Sequence, residues 1–179
     1  MINIRRVRES DIASFHRLLD EVCRERLYLG ALEGPSLERV EAFVRTNIRD
    51  GLPQFMALNA DTIVGWCDAI PGETSAGAAH IGRLGMGVAR EYRGRGIGRK
   101  LIAATLAAAR DTGLEKIELS VYASNDVAIT LYRSLGFLEE GRKVIGRLVD
   151  GRYDDVVLMA LMLMPTSQAP AKEFRTHRS

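Results

Sequence analysis

The sequence predicts an α+β fold in which about four helices flank a mixed, mostly antiparallel sheet of seven strands. Short segments with alternating apolar and polar residues predict the strands, and longer segments with apolar residues every three or four positions predict the helices. In chain order they give one strand, two helices, three strands, a helix, a strand, a helix and two strands. Residues 79–121 form a strand–helix–strand unit, which should cross over right-handed.

The first third of the chain predicts one strand and two helices. Ile2 and Ile4 alternate with polar residues, which is typical of a strand. A cap at Ser10 or Asp11 should then begin a helix that ends near Arg26. A second helix should begin after a cap at Ser36 and end at residues 50–51. Its predicted buried residues are Val40, Phe43, Val44 and Ile48.

The central third predicts a hairpin and then a glycine-rich strand. Residues 54–58 and 62–69 should pair across a turn at residues 59–61. The next strand, residues 79–88, contains Gly82, Gly85 and Gly87. Glycine weakens a strand. Three glycines in one strand therefore indicate a β-bulge or a close approach of another backbone. A helix should follow from about residue 96 to residue 112.

The last third predicts a strand around residues 117–121, a helix beginning at Asn125, and two strands joined at Asp150-Gly151. Asp-Gly is a strong hairpin signal. Periodicity is lost from Pro165 onward. We therefore expect a single domain over residues 1–164 and a flexible tail over residues 165–179. A length of 179 residues with 46% hydrophobic composition suits one domain with its own core.

Residues 92–100, Tyr-Arg-Gly-Arg-Gly-Ile-Gly-Arg-Lys, lie between a predicted strand and a predicted helix. Glycines expose backbone N–H groups, the unpaired amides at a helix start attract anions, and arginines grip phosphate. A P-loop is excluded because no Ser or Thr follows Lys100. The dinucleotide fingerprint also fails, because its third glycine position falls on Arg99, Leu101 or Arg90 for the three possible starting glycines. The segment still predicts a pyrophosphate site.

Two motifs remain, and both resemble those of the GNAT superfamily of N-acetyltransferases. The first, Arg93-x-x-Gly96-x-Gly98, is similar to the acyl-CoA signature of that family. The second begins at Asn125, places Tyr132 seven residues later and ends at Gly136-Phe137. The resemblance covers roughly residues 2–164 and is densest over residues 84–137.

The resemblance implies the GNAT fold with a splayed central strand, and acetyl-CoA as co-substrate. It implies that the backbone of Met86, Gly87 and Val88 pairs with the pantetheine arm and polarises the thioester. The phosphates should lie on the turn, where the expected contacts are Arg93, Gly94, Arg95, Gly96, Ile97, Gly98 and Arg99. Asn125 should line the same groove, and Tyr132 should protonate the departing thiolate. A homodimer is a further expectation from the family.

Composition excludes several other classes. Net charge is only +2, so we expect no nucleic-acid partner. The chain shows neither a signal peptide nor an apolar run of membrane-spanning length, so we expect a cytoplasmic protein without membrane contact. We predict no metal. Cys23 and Cys67 are far apart and should be packed thiols rather than a disulfide.

The general base and the acceptor remain open. An ammonium group must lose a proton before it can attack. His80 could titrate near neutrality and is the candidate base, with Asp68, Glu118 and Glu25 as alternatives. We expect the acceptor to be a small primary amine, such as an amino acid, attacking the thioester directly. The alternatives are a protein N-terminal acetyltransferase and a non-catalytic module that senses acyl-CoA.

Overall fold

The computed structural model describes residues 1–72 and 76–163, so the predicted tail at residues 165–179 lies outside the described part of the chain. The predicted order of strands and helices is confirmed. The elements are β1 (Ile2–Arg6), α1 (Ile12–Arg24), α2 (Leu37–Arg49), β2 (Gln54–Asn59), β3 (Thr62–Pro71), β4 (Ile81–Val88), α3 (Ile97–Arg110), β5 (Lys116–Tyr122), α4 (Asp126–Ser134), β6 (Leu138–Val149) and β7 (Arg152–Met162). None of the helices in the described ranges is both long and apolar enough to cross a membrane.

The seven strands form one sheet in the order β1-β2-β3-β4-β5-β7-β6. Of these neighbours, β4 and β5 alone run parallel, so the predicted mixed, mostly antiparallel sheet is confirmed. The parallel pair is short, because only residues 81–83 of β4 pair with residues 116–118 of β5. From residue 84 to Val88, β4 keeps its pairing with β3 but has none with β5. The two strands therefore separate, and the gap opens near the middle of the sheet.

The two faces of the sheet have separate cores. Trp66 faces α1 and α2, where its ring lies 5.6 Å from that of Phe15. Cys67 faces the other way and belongs to the cluster that includes Leu101 of α3 and Tyr132 of α4. Because side chains alternate along a strand, Asp68 shares the face of Trp66. The gap between β4 and β5 connects these two sides of the sheet.

The expected β-bulge in β4 is wrong. β3 and β4 pair without a register shift from Gly65–Val88 to Pro71–Gly82. Gly85 and Gly87 instead make room for side chains of β3. A Cβ atom on Gly87 would lie 2.2 Å from the Trp66 ring, and one on Gly85 would lie 3.0 Å from Oδ1 of Asp68. Another part of the protein does approach β4 closely, but it consists of side chains of β3 and not of a backbone.

Two smaller predictions about the helices are also corrected. α1 ends at Arg24, because Arg26 has a positive φ of 57° and cannot continue the helix. In α2, Ile48 is 40% exposed, and Asn47 takes the buried position. Asn47 can be buried because its amide donates to Oε1 of Gln54 at 2.9 Å. A polar residue with a partner thus replaces the apolar one that periodicity favoured.

Candidate active site

The turn before α3 presents a row of backbone N–H groups. Gly94 and Gly96 have φ of 72° and 75°, values that favour glycine, and a Cβ on either would meet nothing within 4 Å. The first helical bond runs from Lys100 N to Gly96 O at 3.3 Å. Within the described residues, the N–H groups of Ile97 and Gly98 therefore have no acceptor. Together with the positive end of the helix dipole, these free N–H groups are suited to an anion.

Gly98 places this turn at the mouth of the gap between β4 and β5. A Cβ there would lie 3.2 Å from Cε of Met86 and 3.3 Å from Cδ2 of Leu131. The small residue therefore lets α3 begin close to both β4 and α4. The unpaired amides therefore lie close to the part of β4 that has separated from β5.

The arginines of the turn are held by other parts of the protein. The Arg93 guanidinium binds Glu25 at 2.6 and 2.8 Å and donates to Val88 O at 2.9 Å. It also lies 4.8 Å from the centre of the Tyr28 ring. The hydrogen-bonded Glu25 carboxylate raises the pKa of Arg93, so this side chain fastens the segment after α1 to the end of β4. The sequence predicts a phosphate contact for Arg93, but in the structure its guanidinium is bound to Glu25 and Val88, and its backbone N–H donates to Arg90 O at 3.3 Å.

The other two arginines of the motif are nearer the surface. The Arg95 guanidinium lies 5.2 Å from the centre of the Tyr92 ring, and Arg99 donates to Oγ of Ser134 at 2.6 Å. Both side chains stay beside the turn, and their contacts are with neutral partners. They remain available to an anion at the turn.

Tyr132 and Asn125 lie on α4, as the second motif predicts. The Asn125 side chain caps the helix by accepting from Ala128 N at 3.2 Å. Tyr132 is 8% exposed and packs against Phe137, with ring centres 5.7 Å apart. Its hydroxyl has no hydrogen-bond partner among the described residues, yet is not sealed from solvent. Burial raises the pKa of Tyr132, so the phenol is protonated at neutral pH.

The structure does not bring His80 to this site. His80 is exposed in the turn before β4, and its carbonyl accepts from the N–H groups of Glu115 and Lys116. It lies five residues from Gly85, which is about 17 Å along a strand. The gap between β4 and β5 opens in the opposite direction, beyond residue 83. His80 therefore has no role in the proposed mechanism.

Asp68 is the alternative base that the structure favours. Glu118 is bound to Lys116 at 2.7 Å and Glu25 to Arg93, whereas the Asp68 carboxyl has no hydrogen bond or ion pair within the described ranges. Asp68 is 9% exposed and pairs with Gly85 in the sheet. It lines two cavities of about 350 and 360 Å³. Burial raises the pKa of Asp68 to about 7.

A buried carboxyl without a partner should make stability depend on pH. Between the ordinary pKa of 3.8 and about 7, the folded protein holds this proton more tightly than the unfolded chain. The free energy of unfolding should therefore fall as pH rises from 4 to 7, by at most about 4 kcal/mol from this group. Asp68→Asn should remove that part of the slope and be more stable than wild type at pH 8. Urea unfolding of both proteins at pH 5 and pH 8 measures the free energy of unfolding. An equal change in that free energy between the two pH values for wild type and Asp68→Asn would contradict the prediction.

The sequence profile of the acetyltransferase (GNAT) family matches residues 16–137, more than half of the chain. An L-methionine sulfoximine/L-methionine sulfone acetyltransferase from Pseudomonas aeruginosa is 29% identical over 131 residues, which are 73% of this chain and 76% of the relative. The chain spans less than half the length of two other curated relatives.

Solved structures agree with the family profile. A ribosomal-protein-alanine N-acetyltransferase from Brucella melitensis is 28% identical with a TM-score of 0.83, over 89% of this chain and 99% of that one. A phosphinothricin acetyltransferase from Sinorhizobium meliloti, in complex with acetyl-CoA, has a TM-score of 0.86 over 96% and 94% of the chains. At 20% identity this last likeness shows the fold alone. The chain therefore belongs to the acetyltransferase (GNAT) family and is an acetyl-CoA-dependent acetyltransferase.

Proposed function

We propose that this enzyme transfers the acetyl group of acetyl-CoA to a small primary amine by direct attack of the amine on the thioester. The observation that carries the proposal is the gap between β4 and β5. Where β4 leaves β5, Met86 packs against the cluster that contains Tyr132, and Gly85 lines the cavities beside Asp68. A donor in the gap is thus reachable from an acceptor cavity across the sheet.

The described residues fit acetyl-CoA. Its diphosphate needs several N–H donors in one concave turn, and the amides of Gly94, Gly96, Ile97 and Gly98 provide them without a side chain in the way. Its pantetheine arm carries amides that can pair like a strand. The backbone of residues 86–88 pairs with β3 and not with β5, and apart from Val88 O, which accepts from Nε of Arg93, it offers that pairing.

Bound acetyl-CoA supplies an activated carbonyl and a thiolate leaving group. A backbone N–H near Val88 can donate to the oxyanion, as the family resemblance implies. The Tyr132 hydroxyl can give its proton to the departing sulfur, because its raised pKa keeps it protonated. Cys67 is fully buried, and burial raises the pKa of its thiol, so it is not poised to form an acyl-enzyme. Direct transfer follows from these properties.

Two relatives suggest different acceptors. The Pseudomonas aeruginosa relative acts on L-methionine sulfoximine and L-methionine sulfone, which favours a small amino-acid-like acceptor. The Brucella melitensis structure is of a ribosomal-protein-alanine N-acetyltransferase, which keeps a protein N-terminus as the second candidate. The two open cavities, of about 350 and 360 Å³, are of small-molecule size and favour the first.

An acceptor screen tests the proposal. Purified protein is incubated with acetyl-CoA and a panel of L-amino acids, polyamines, simple alkylamines and peptides beginning with alanine, and free thiol is measured. We expect thiol release with at least one small amine and no release above background with the peptides. Release with peptides alone would establish the second candidate. Acetyl-CoA binding by calorimetry without release for any amine would instead indicate a sensing module.

A further inference from the structure

We propose that Asp68 binds the ammonium group of the acceptor and accepts its proton, while Arg83 binds a carboxylate of the same molecule. The acceptor is then a free α-amino acid with an apolar side chain. This inference rests on the proposed function and specifies its substrate and its base. It is carried by the position of Asp68, by the two cavities that meet there, and by an arginine on the same face of the sheet.

Asp68 lies where the two central strands separate. It is opposite Gly85 in the β3–β4 pair, and the last residue of β4 that pairs with β5 is Arg83, two residues earlier. Because Gly85 has no side chain, the Asp68 carboxyl reaches over the backbone of β4, with Oδ1 3.0 Å from the position of a Cβ there. A group bound to this carboxyl is therefore next to the opening of the gap.

The two cavities share Asp68, Gly85 and Phe43. One extends along α1 and α2, and its other lining residues are Phe15, Leu19, Leu29, Pro35, Arg39, Val40, Trp66 and Met86. The other extends along the sheet to Arg83. The first suits an apolar side chain, and the second offers a cation to an anionic group. Among the described residues that line either cavity, Asp68 in the shared wall has the only carboxyl.

A carboxyl buried without a partner is costly in its ionised form, and a cation that binds beside it removes that cost. Asp68 has no such cation within the described chain. Among the described residues that line the cavities, the charged ones are Asp68, Arg39 and Arg83, and burial is the cause of the raised pKa of Asp68. An acceptor ammonium would supply the missing charge.

Arg83 is the arginine placed to hold the carboxylate. Side chains of directly opposite residues and of their neighbours two positions away share a face, so Arg83 is diagonal to Asp68 at roughly 7–8 Å. Its guanidinium has no hydrogen bond or ion pair in the described part of the chain, and a guanidinium binds carboxylate through two parallel bonds. Arg39, on α2, is also exposed and without a side-chain partner, but it borders the apolar cavity.

The proposed proton transfers balance. The ammonium gives one proton to the Asp68 carboxylate, and the neutral amine forms the N–C bond to the thioester carbonyl. The C–S bond then breaks, and the sulfur takes the Tyr132 proton. The second proton lost by the nitrogen returns to the Tyr132 phenolate, and Asp68 releases its proton to solvent. A base with a pKa near the working pH suits this role.

The test compares three variants on matched acceptors. The acceptors are L-methionine, L-leucine and L-phenylalanine, each beside the amine without its carboxylate: 3-(methylthio)propylamine, 3-methylbutylamine and phenethylamine. We expect wild type to prefer at least one amino acid over its amine by about tenfold or more in kcat/KM. Arg83→Gln should abolish that preference by raising KM for the amino acid alone. Arg17→Gln is the control, because Arg17 is exposed on α1 and lines neither cavity, and it should change neither acceptor by more than about twofold.

Asp68→Asn should lower kcat about a hundredfold or more for amino acids and amines alike, without changing acetyl-CoA affinity by calorimetry. In wild type, kcat/KM should rise with pH through about 7, and this rise should be missing from Asp68→Asn.

Full turnover by Asp68→Asn, or an amino-acid preference that Arg83→Gln retains, would overturn the inference. Wild-type turnover of amines or peptides but no amino acid would also overturn it and leave acetyl transfer standing. Absence of turnover with every acceptor would overturn the proposed function itself.

Discussion

Tyr132→Phe should lower kcat by roughly 10²- to 10⁴-fold, the range that a positioned general acid contributes. The phenol is buried beside Phe137 and stays protonated at neutral pH because its pKa is raised. Its hydroxyl donates to no acceptor among the described residues. Removing the hydroxyl therefore removes a proton donor and little else. Acetyl-CoA affinity should stay within about twofold, because the phosphates and the pantetheine arm do not depend on this group.

Steady-state assays of thiol release measure kcat, and calorimetry with acetyl-CoA measures the affinity separately. Phenylalanine fills the same space, and loss of a hydroxyl without a protein partner should change the free energy of unfolding by less than about 1 kcal/mol. Tyr153→Phe is the control, since Tyr153 is an exposed tyrosine on β7. Equal kcat for wild type and Tyr132→Phe would exclude Tyr132 as the acid.

The order of strands and helices could be predicted because local periodicity determines it. The glycine pattern also predicted the turn before α3, where Gly94 and Gly96 adopt the left-handed backbone conformation that favours glycine. The splay of β4 came only from the family resemblance. In the structure it is a property of pairing between β4 and β5, which are separated in sequence by all of α3.

What the sequence could not show depends on contacts between distant residues. Gly85 and Gly87 suggest a bulge, but in the structure they leave space for the side chains of Asp68 and Trp66 on the neighbouring strand. Arg93 belongs to a phosphate motif, yet its guanidinium is taken by Glu25, 68 residues away in sequence.

The choice of base shows the same limitation. The sequence favours His80 because histidine titrates near neutrality, a property of its residue type. Asp68 reaches a similar pKa through burial, a property of its place in the fold. One signal was present in the sequence: an aspartate flanked by Cys67 and Ala69 within an otherwise apolar strand predicts a buried carboxyl. Such a residue calls for a partner or a function.

Gly96→Ala should weaken acetyl-CoA binding by roughly a hundredfold. The amides of the turn point outward only while residue 96 keeps its φ of 75°. An alanine costs about 1–2 kcal/mol in that conformation, so the turn will relax and its N–H groups will lose their common direction. If the turn does not relax, the new methyl group projects into the open space where the diphosphate is expected. Either response weakens the anion site, and calorimetry with acetyl-CoA measures the loss.

Gly113→Ala is a matched control at the other end of α3. Gly113 has a φ of 79°, and a Cβ there would also meet nothing within 4 Å. Both substitutions should therefore lower the free energy of unfolding by a similar amount, about 1–2 kcal/mol, measured by urea unfolding. Only Gly96→Ala should change acetyl-CoA affinity, because only Gly96 precedes the unpaired amides of the helix. Equal affinity in the two variants would mean that the diphosphate does not bind this turn.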